Sequence, residues 1–292
     1  MPHDDALLAA TGLDPHALAR QQRRLLAQGQ TPWLNALLAE RMAERLEWIK
    51  AEVRQAWAWQ GLWGGGQQAL QRRYPQASIR ALEDAALPLL AQRRRWWQRA
   101  AWLRADEAPP GQAQLVWAPL GLLAAPEPRA LLARWHQLLA VDGFLMFSSL
   151  GPDSFIELRQ LYAAEGFGEL APRWVDLHDV GDQLLEAGFA EPVMDQERLT
   201  LTWADADALW RDLALLGGNL HAARFAGLRT PAWRQRWRAA VSERLQGSDG
   251  RLRLTLEFVC GHAIKPEPRV QGETRVGVES LREQLRQRRA TG

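Results

Sequence analysis

Between Val53 and Gly66 the chain reads Val-Arg-Gln-Ala-Trp-Ala-Trp-Gln-Gly-Leu-Trp-Gly-Gly-Gly. An apolar run meets a cluster of glycines, and a helical pattern that includes Leu70 follows. Strand, glycine turn and helix in that order is how open α/β sheets hold nucleotide-like cofactors. Glycine lets the backbone approach the ligand, and the start of the helix offers N–H groups that nothing inside the helix accepts. Gly61, Gly64, Gly65 and Gly66 are the candidates in that turn. About twenty residues on, Ser78-Ile79-Arg80-Ala81-Leu82-Glu83 is a second apolar run that ends in a carboxylate, and an acid there accepts both hydroxyls of a ribose. Bulky Trp59 and Trp63 stand where such loops prefer small residues, so the stretch also reads as a strand-to-helix turn that holds no ligand.

Other residues with chemical potential are scattered. Asp106-Glu107 would accept from an adenine amino group at the far end of such a cofactor; equally, it is a solvated loop acid ahead of Pro109-Pro110. His178-Asp179, with Ser148 or Ser149, suggests a relay. Neighbouring residues on a helix do not face each other, however, and Asp179 near a helix start serves more simply as a capping or dipole group. His136, His221 and His262 have no metal-ligand spacing. The run Arg93-Arg94-Arg95-Trp96-Trp97, and Arg234, Arg236 and Arg238 beside Trp233 and Trp237, read as solvated helix faces with inward-turned indoles or as a landing patch for an acidic partner.

The elements that must position these residues follow from periodicity. Strands are expected at 53–59, 78–83, 101–106, 112–120, 144–149, 192–203 and 251–264. Helices are expected at 66–73, 85–98, 128–140, 153–164, 178–187, 206–216 and 231–245, together with one opened by Thr31 as N-cap and Pro32 at the first helical position. Asp142-Gly143 reads as a turn. Strands alternating with helices of this length indicate an α/β fold with a doubly wound parallel sheet. Residues 1–30, polar and glutamine-rich, read as a loosely held arm, 31–266 as the domain, and 267–292 as a charged tail.

Composition narrows the class. With 47% hydrophobic and 24% charged residues in 292, the chain can bury one large core. A net charge of +2 implies no nucleic-acid partner, and the pI near 9.1 reflects arginine usage. The single cysteine, Cys260, forms no intrachain disulfide and excludes a cysteine-rich zinc site, which fits a reducing compartment such as the cytoplasm. Met1-Pro2-His3-Asp4-Asp5 is no signal peptide, and no apolar run approaches the length of a membrane span. Fifteen tryptophans against seven Phe and two Tyr read as core residues rather than as a stacking platform for nucleic acid or sugars.

Later motifs carry a resemblance. They are Gly143-Phe144-Leu145-Met146-Phe147-Ser148-Ser149-Leu150-Gly151-Pro152-Asp153, Asp176-Leu177-His178-Asp179-Val180-Gly181-Asp182, Ala187-Gly188-Phe189-Ala190-Glu191-Pro192-Val193-Met194-Asp195, Leu199-Thr200-Leu201-Thr202-Trp203, Arg211-Asp212-Leu213 with Gly217 and Asn219, and Phe258-Val259-Cys260-Gly261-His262-Ala263. From about residue 40 to 266 the chain resembles the S-adenosylmethionine-dependent malonyl-acyl-carrier-protein O-methyltransferases of biotin synthesis.

The resemblance implies a class I methyltransferase fold: a Rossmann-like, seven-stranded, doubly wound sheet with its last strand antiparallel, and a helical cover at about 204–250 over the substrate. It implies the methionine part of the cofactor at Gly61, Gly64, Gly65 and Gly66, the ribose at Glu83 and the adenine near Asp106. Ala118-Pro119 would form the floor beneath the sulfonium. Arg211 and Arg224 are candidates for the malonyl carboxylate, and an acyl carrier protein or a coenzyme A thioester is the implied partner. The cofactor half departs from the pattern. With Gly61 as the first of three alternating glycines, Trp59 stands at the acid and Trp63 at the second glycine, and residues 21–30 lack the family's early aromatic motif. These departures leave a second class open, in which the cofactor is lost and the fold serves as a binding or assembly partner, as in the related respiratory-complex assembly factors.

Overall fold

The structure, a computed structural model, describes residues 12–83, 102–215 and 218–268. The expected helix at 85–98 with its Arg93–Trp97 cluster, Gly217, residues 1–11 and nearly all of the tail lie outside the described residues. Helices α1 (Pro15–Gln28) and α2 (Trp33–Arg45) precede strand β1 (Gln55–Trp59). A one-turn helix α3 (Gly61–Gly64) and helix α4 (Gln67–Arg73) lead to β2 (Ser78–Glu83) and β3 (Trp102–Arg104). Then come β4 (Ala113–Ala118), α5 (Pro128–Leu138), β5 (Leu139–Leu150), α6 (Ile156–Glu165), α7 (Leu177–Glu186), β6 (Ala190–Trp203), α8 (Ala206–Leu215), α9 (Pro231–Leu245) and β7 (Leu252–Ile264).

The seven strands form one sheet in the order β3-β2-β1-β4-β5-β7-β6. β1 to β5 run parallel, and β7 lies antiparallel between β5 and β6. Residues alternate between the two faces, as a pleated strand requires. Trp57, Val116 and Ala118 pack with Trp135 of α5 and Leu184 of α7 on one face. Ala58, Leu115 and Trp117 pack with Leu38 and Met42 of α2 and Trp237 of α9 on the other. Central strands buried on both faces have to be apolar throughout, which is why 112–120 and 144–149 read so clearly. Cys260 lies inside this core on β7, and burial pushes its thiol up to about 12.

Three expectations are corrected. Residues 12–30 are not a loose arm: Asp14 caps α1 by accepting from the backbone N–H of His16 at 2.8 Å and of Ala17 at 3.2 Å, and Ala17, Leu18, Gln21, Gln22 and Leu25 are buried. Those five positions follow the i, i+3/i+4 rule and make one inward stripe that average polarity hides. Thr31 does not cap α2; Pro32 is the N-cap and no side chain accepts there. Asp142-Gly143 is not a turn between elements but sits within β5, where the pairing jumps from Ala113↔Leu139 to Leu115↔Phe144. Asp142 takes a left-handed φ of 61°, its N–H donates to Lys265 O at 2.9 Å, and the strand continues past the bulge.

β6 forms one border of the sheet. Its Asp195 accepts from Nε of Arg45 on α2 at 2.8 Å, and Glu197 lies 3.6 Å from Arg41. Arg198 pairs with Asp153 and, at 3.2 Å, with the buried Glu257 of β7.

Candidate functional site

At the C-terminal end of β1 the chain turns through Gln60, at a left-handed φ of 49°, into α3. Gly61 is there because α3 lies directly on β2: a Cβ at Gly61 would stand 2.8 Å from Ala81 Cβ. Gly66 combines a φ of +83° with a close approach, since its Cβ would stand 2.7 Å from the Trp117 ring. Trp117 Nε1 donates to Gly65 O at 3.1 Å, so the indole is pinned against the glycine turn. Gly64 lies against Pro119, and Ala118 is buried at the end of β4.

Glu83 is fully buried at the end of β2, where a ribose acceptor belongs, and its Oε1 accepts from Leu62 N–H at 2.8 Å. Trp63 is buried in a cluster with Leu25 and Leu26 of α1, Leu62, and Trp102 of β3. Its indole therefore lies over the β2–β3 end of the sheet. Trp59 turns the other way and meets Trp135 edge-on, with ring centroids 5.8 Å apart. Asp106 is exposed just past β3 and is held by Arg104 Nη2 at 2.7 Å; that hydrogen bond lowers its pKa. The sequence-predicted cofactor residues Gly61, Gly64, Gly65, Gly66, Glu83 and Ala118 thus come together, with Asp106 apart from them on the rim. A buried strand-end carboxylate beside a glycine turn is a donor set that suits an adenosyl group. One oxygen of that carboxylate is engaged by Leu62 N–H, the Trp63 and Trp117 indoles stand beside the turn, and Trp59 offers no carboxylate to an ammonium.

The open volume lies beside this turn. A cavity of about 520 Å³ sits between the ends of β4 and β5 and the helices above them. Leu120 and Leu150 form its floor, Leu34 and Asn35 of α2 and Tyr162 of α6 its walls, and Trp210 and Phe225 its roof. Arg20, Arg24, Arg224 and Arg229 line it, and no carboxylate does among the described residues.

Arg224, one of the two sequence-predicted substrate residues, is therefore at the cavity. Its Nη2 donates to Asp14 at 2.6 Å and its Nη1 to His221 O at 2.8 Å, which ties α1 to the cover. Arg211 is exposed on α8 and does not line the cavity. Arg229, which the sequence reading passed over, places its guanidinium 5.2 Å from the Trp233 ring centroid and 5.8 Å from that of Trp210. The signal that would have found it is its position four residues before Trp233 at the N-terminus of a helix. Tyr162 accepts from Trp237 Nε1 at 3.1 Å, and burial raises its pKa, so the hydroxyl stays protonated. Burial lowers His221, which accepts from Ala223 N–H through Nδ1.

The other candidates resolve into structure. His178 and Asp179 are exposed at the start of α7, where Asp176 is the cap, and Ser148 Oγ is buried, accepting from Leu120 N–H at 2.9 Å. Arg234 and Arg238 pair with Asp207, and Arg236 and Arg244 with Glu165, while Trp233 and Trp237 are buried. No cluster of three or more metal-ligating side chains occurs among the described residues.

A malonyl-[acyl-carrier protein] O-methyltransferase of Laribacter hongkongensis is 40% identical over 250 residues, covering 80% of this chain and 82% of that protein. The chain belongs to this family. The proteins of the same name from Gallionella capsiferriformans and Halorhodospira halophila are 38% identical over 248 residues and 34% identical over 265. They are covered to 83% and 88% of their lengths, and this chain to 79% and 85%. No protein-family model matches the chain. Among solved structures, a proposed methyltransferase from Bacillus halodurans aligns with a TM-score of 0.50 at 13% identity, over 78% of this chain and 99% of that one, which shows the class I methyltransferase fold.

The motif that marks the family in this chain is structural here. Ser154 of Gly151-Pro152-Asp153-Ser154 donates through Oγ to Glu257 O at 2.8 Å and accepts from Glu257 N–H at 3.0 Å. The Glu257 carboxylate accepts from Asp153 N–H at 3.0 Å and from Gln196 Nε2 at 2.6 Å. The loop after β5 is thereby fastened to β7, beside the cavity floor at Leu150.

Proposed function

We propose that this chain carries out the reaction its relatives are named for, methyl ester formation on the free carboxylate of a malonyl group borne by acyl carrier protein, as a cytoplasmic step of biotin synthesis. The cavity is the observation that supports it. A malonyl thioester is a slim acyl chain with one negative charge at its far end. An apolar pocket with four arginines and no carboxylate among its described lining residues complements it. An ionised carboxylate is already a nucleophile, so no general base is required; orientation and exclusion of water are what the chain must supply. Helices α1 and α8 and the 218–230 segment line the outer side of the pocket.

The donor implied by the resemblance is S-adenosylmethionine, which supplies an electrophilic methyl group when bound. Glu83 is the residue that would hold its ribose. In the structure that carboxylate accepts from Leu62 N–H, and Trp117 is bonded to Gly65 O beside it. A second reading rests on those same contacts: a family member that keeps the substrate pocket without the chemistry. The test is incubation of the purified chain with malonyl-acyl carrier protein and S-adenosylmethionine. The expected result is a methyl ester seen by mass spectrometry, together with rescue of a biotin auxotroph. Failure of both, with S-adenosylhomocysteine leaving the melting temperature unchanged, overturns the enzyme reading in favour of the second.

A further inference from the structure

Four arginines reach the cavity, and their partners separate them. Arg224 is consumed by Asp14 and by His221 O. Arg24, exposed on α1, donates to Ala214 O at 3.4 Å. Arg20 is exposed on α1, and no side chain among the described residues fixes it. Arg229 is exposed as well but differs from all three in what holds it. Two indoles hold its guanidinium in place, and no carboxylate or carbonyl among the described residues accepts from it. Stacking on aromatic rings uses the face of a guanidinium and leaves the in-plane N–H fork free. Its charge reaches the inner wall, where it acts on Tyr162, whose protonated hydroxyl is a second donor on that side.

We propose that Arg229 reads the free carboxylate of the acyl group, making it the residue that distinguishes a malonyl from an uncharged acyl thioester. This rests on the pocket being the malonyl site. A carboxylate accepts two parallel N–H bonds from the guanidinium fork, a geometry that an acetyl group cannot return. Trp210 and Trp233 fix the fork before the ligand arrives, so little side-chain freedom is lost on binding.

The experiment is calorimetric titration of the full chain with malonyl-coenzyme A and acetyl-coenzyme A. The nucleotide part is common to both ligands, so the ratio of their affinities isolates the carboxylate. Wild-type protein is expected to bind the malonyl thioester at least about tenfold more tightly, the scale of one charge-assisted bidentate contact. Arg229→Gln is expected to bring that ratio to about one with acetyl affinity unchanged. Arg229→Lys should recover part of it, and Arg211→Gln, outside the pocket, should keep all of it. Melting curves confirm that each variant is folded. If Arg229→Gln discriminates as well as wild type, the assignment of Arg229 is overturned and the malonyl site stands. If wild-type protein binds neither thioester, or binds both equally, the malonyl site falls and the assignment with it.

Discussion

Trp117 decides most at the scale of single residues. It stands in a run that the sequence marks only as a buried strand, yet its indole closes on the glycine turn two strands' worth of chain away. Trp117→Phe keeps a ring in the core and deletes the N–H bond to Gly65 O. One neutral hydrogen bond is worth about 1 kcal/mol and the smaller ring leaves a void at this fully buried position, so the folded state is expected to lose more than that. The same loss lowers the cost of opening the turn, and S-adenosylhomocysteine is expected to bind about fivefold more tightly than to wild type. Equal or weaker binding in calorimetry would show that Trp117 is not what keeps the turn shut. The glycines and Glu83 were legible because backbone turns and strand-end acids leave marks in spacing. What fills the space between them was not, because cross-strand contacts such as Trp117 on Gly65 have no sequence period. The same limit applies to arginines: Arg224 and Arg211 looked alike in sequence, and only folding put one at the cavity and the other in solvent.

Among the elements, α1 was the one least visible in the sequence. Its N-cap, Asp14, is also the partner of Arg224 more than two hundred residues on, and the loop carrying Arg224 covers the cavity. The side-chain hydrogen bond from Arg224 lowers the Asp14 carboxyl below the usual range, and the first N–H groups of α1 add to this. A carboxyl depressed in the folded state stabilises it above the ordinary carboxylate pKa of about 3.9, and the contribution disappears as pH falls through the lower folded value. Asp14→Ala removes cap and ion pair together. The expected outcome is a lower melting temperature and several-fold faster proteolytic cutting in the segment after α1, near Gly29. An unchanged digestion pattern would show that buried Leu18 and Leu25 alone hold the helix. Most other elements matched their sequence signatures, because alternation in β7 and the 3.6-residue stripe of α9 leave few other solutions. Asp142-Gly143 misled for a physical reason: a bulge and a turn both want a left-handed residue.

For the whole molecule, pH offers the broadest check. His136, His221 and His262 all lie below the ordinary imidazole value, with burial the largest cause in each. Below about pH 6.5 the unfolded chain takes up protons that the folded chain refuses, so unfolding free energy is expected to decline from pH 7 toward pH 5. Each refused proton sets a slope of at most about 1.4 kcal/mol per pH unit, and the decline levels off once the folded imidazoles also titrate. Denaturant titrations at several pH values measure that slope, and His262→Gln should flatten it. A slope of zero or of the opposite sign would mean that these rings are as wet in the folded state as in the unfolded one.

The border strand β6 carries one more consequence. Among the described residues no strand pairs with the outer edge of β6, and fourteen residues of such an edge are an invitation to lateral growth, one molecule adding its ribbon to the next. Here that flank bears Asp195, Glu197 and Arg198, each already engaged by Arg45, Arg41 or Glu257. A newcomer would have to pull those ions from their companions and strip their hydration. The ions that this border already holds therefore disfavour lateral addition along it.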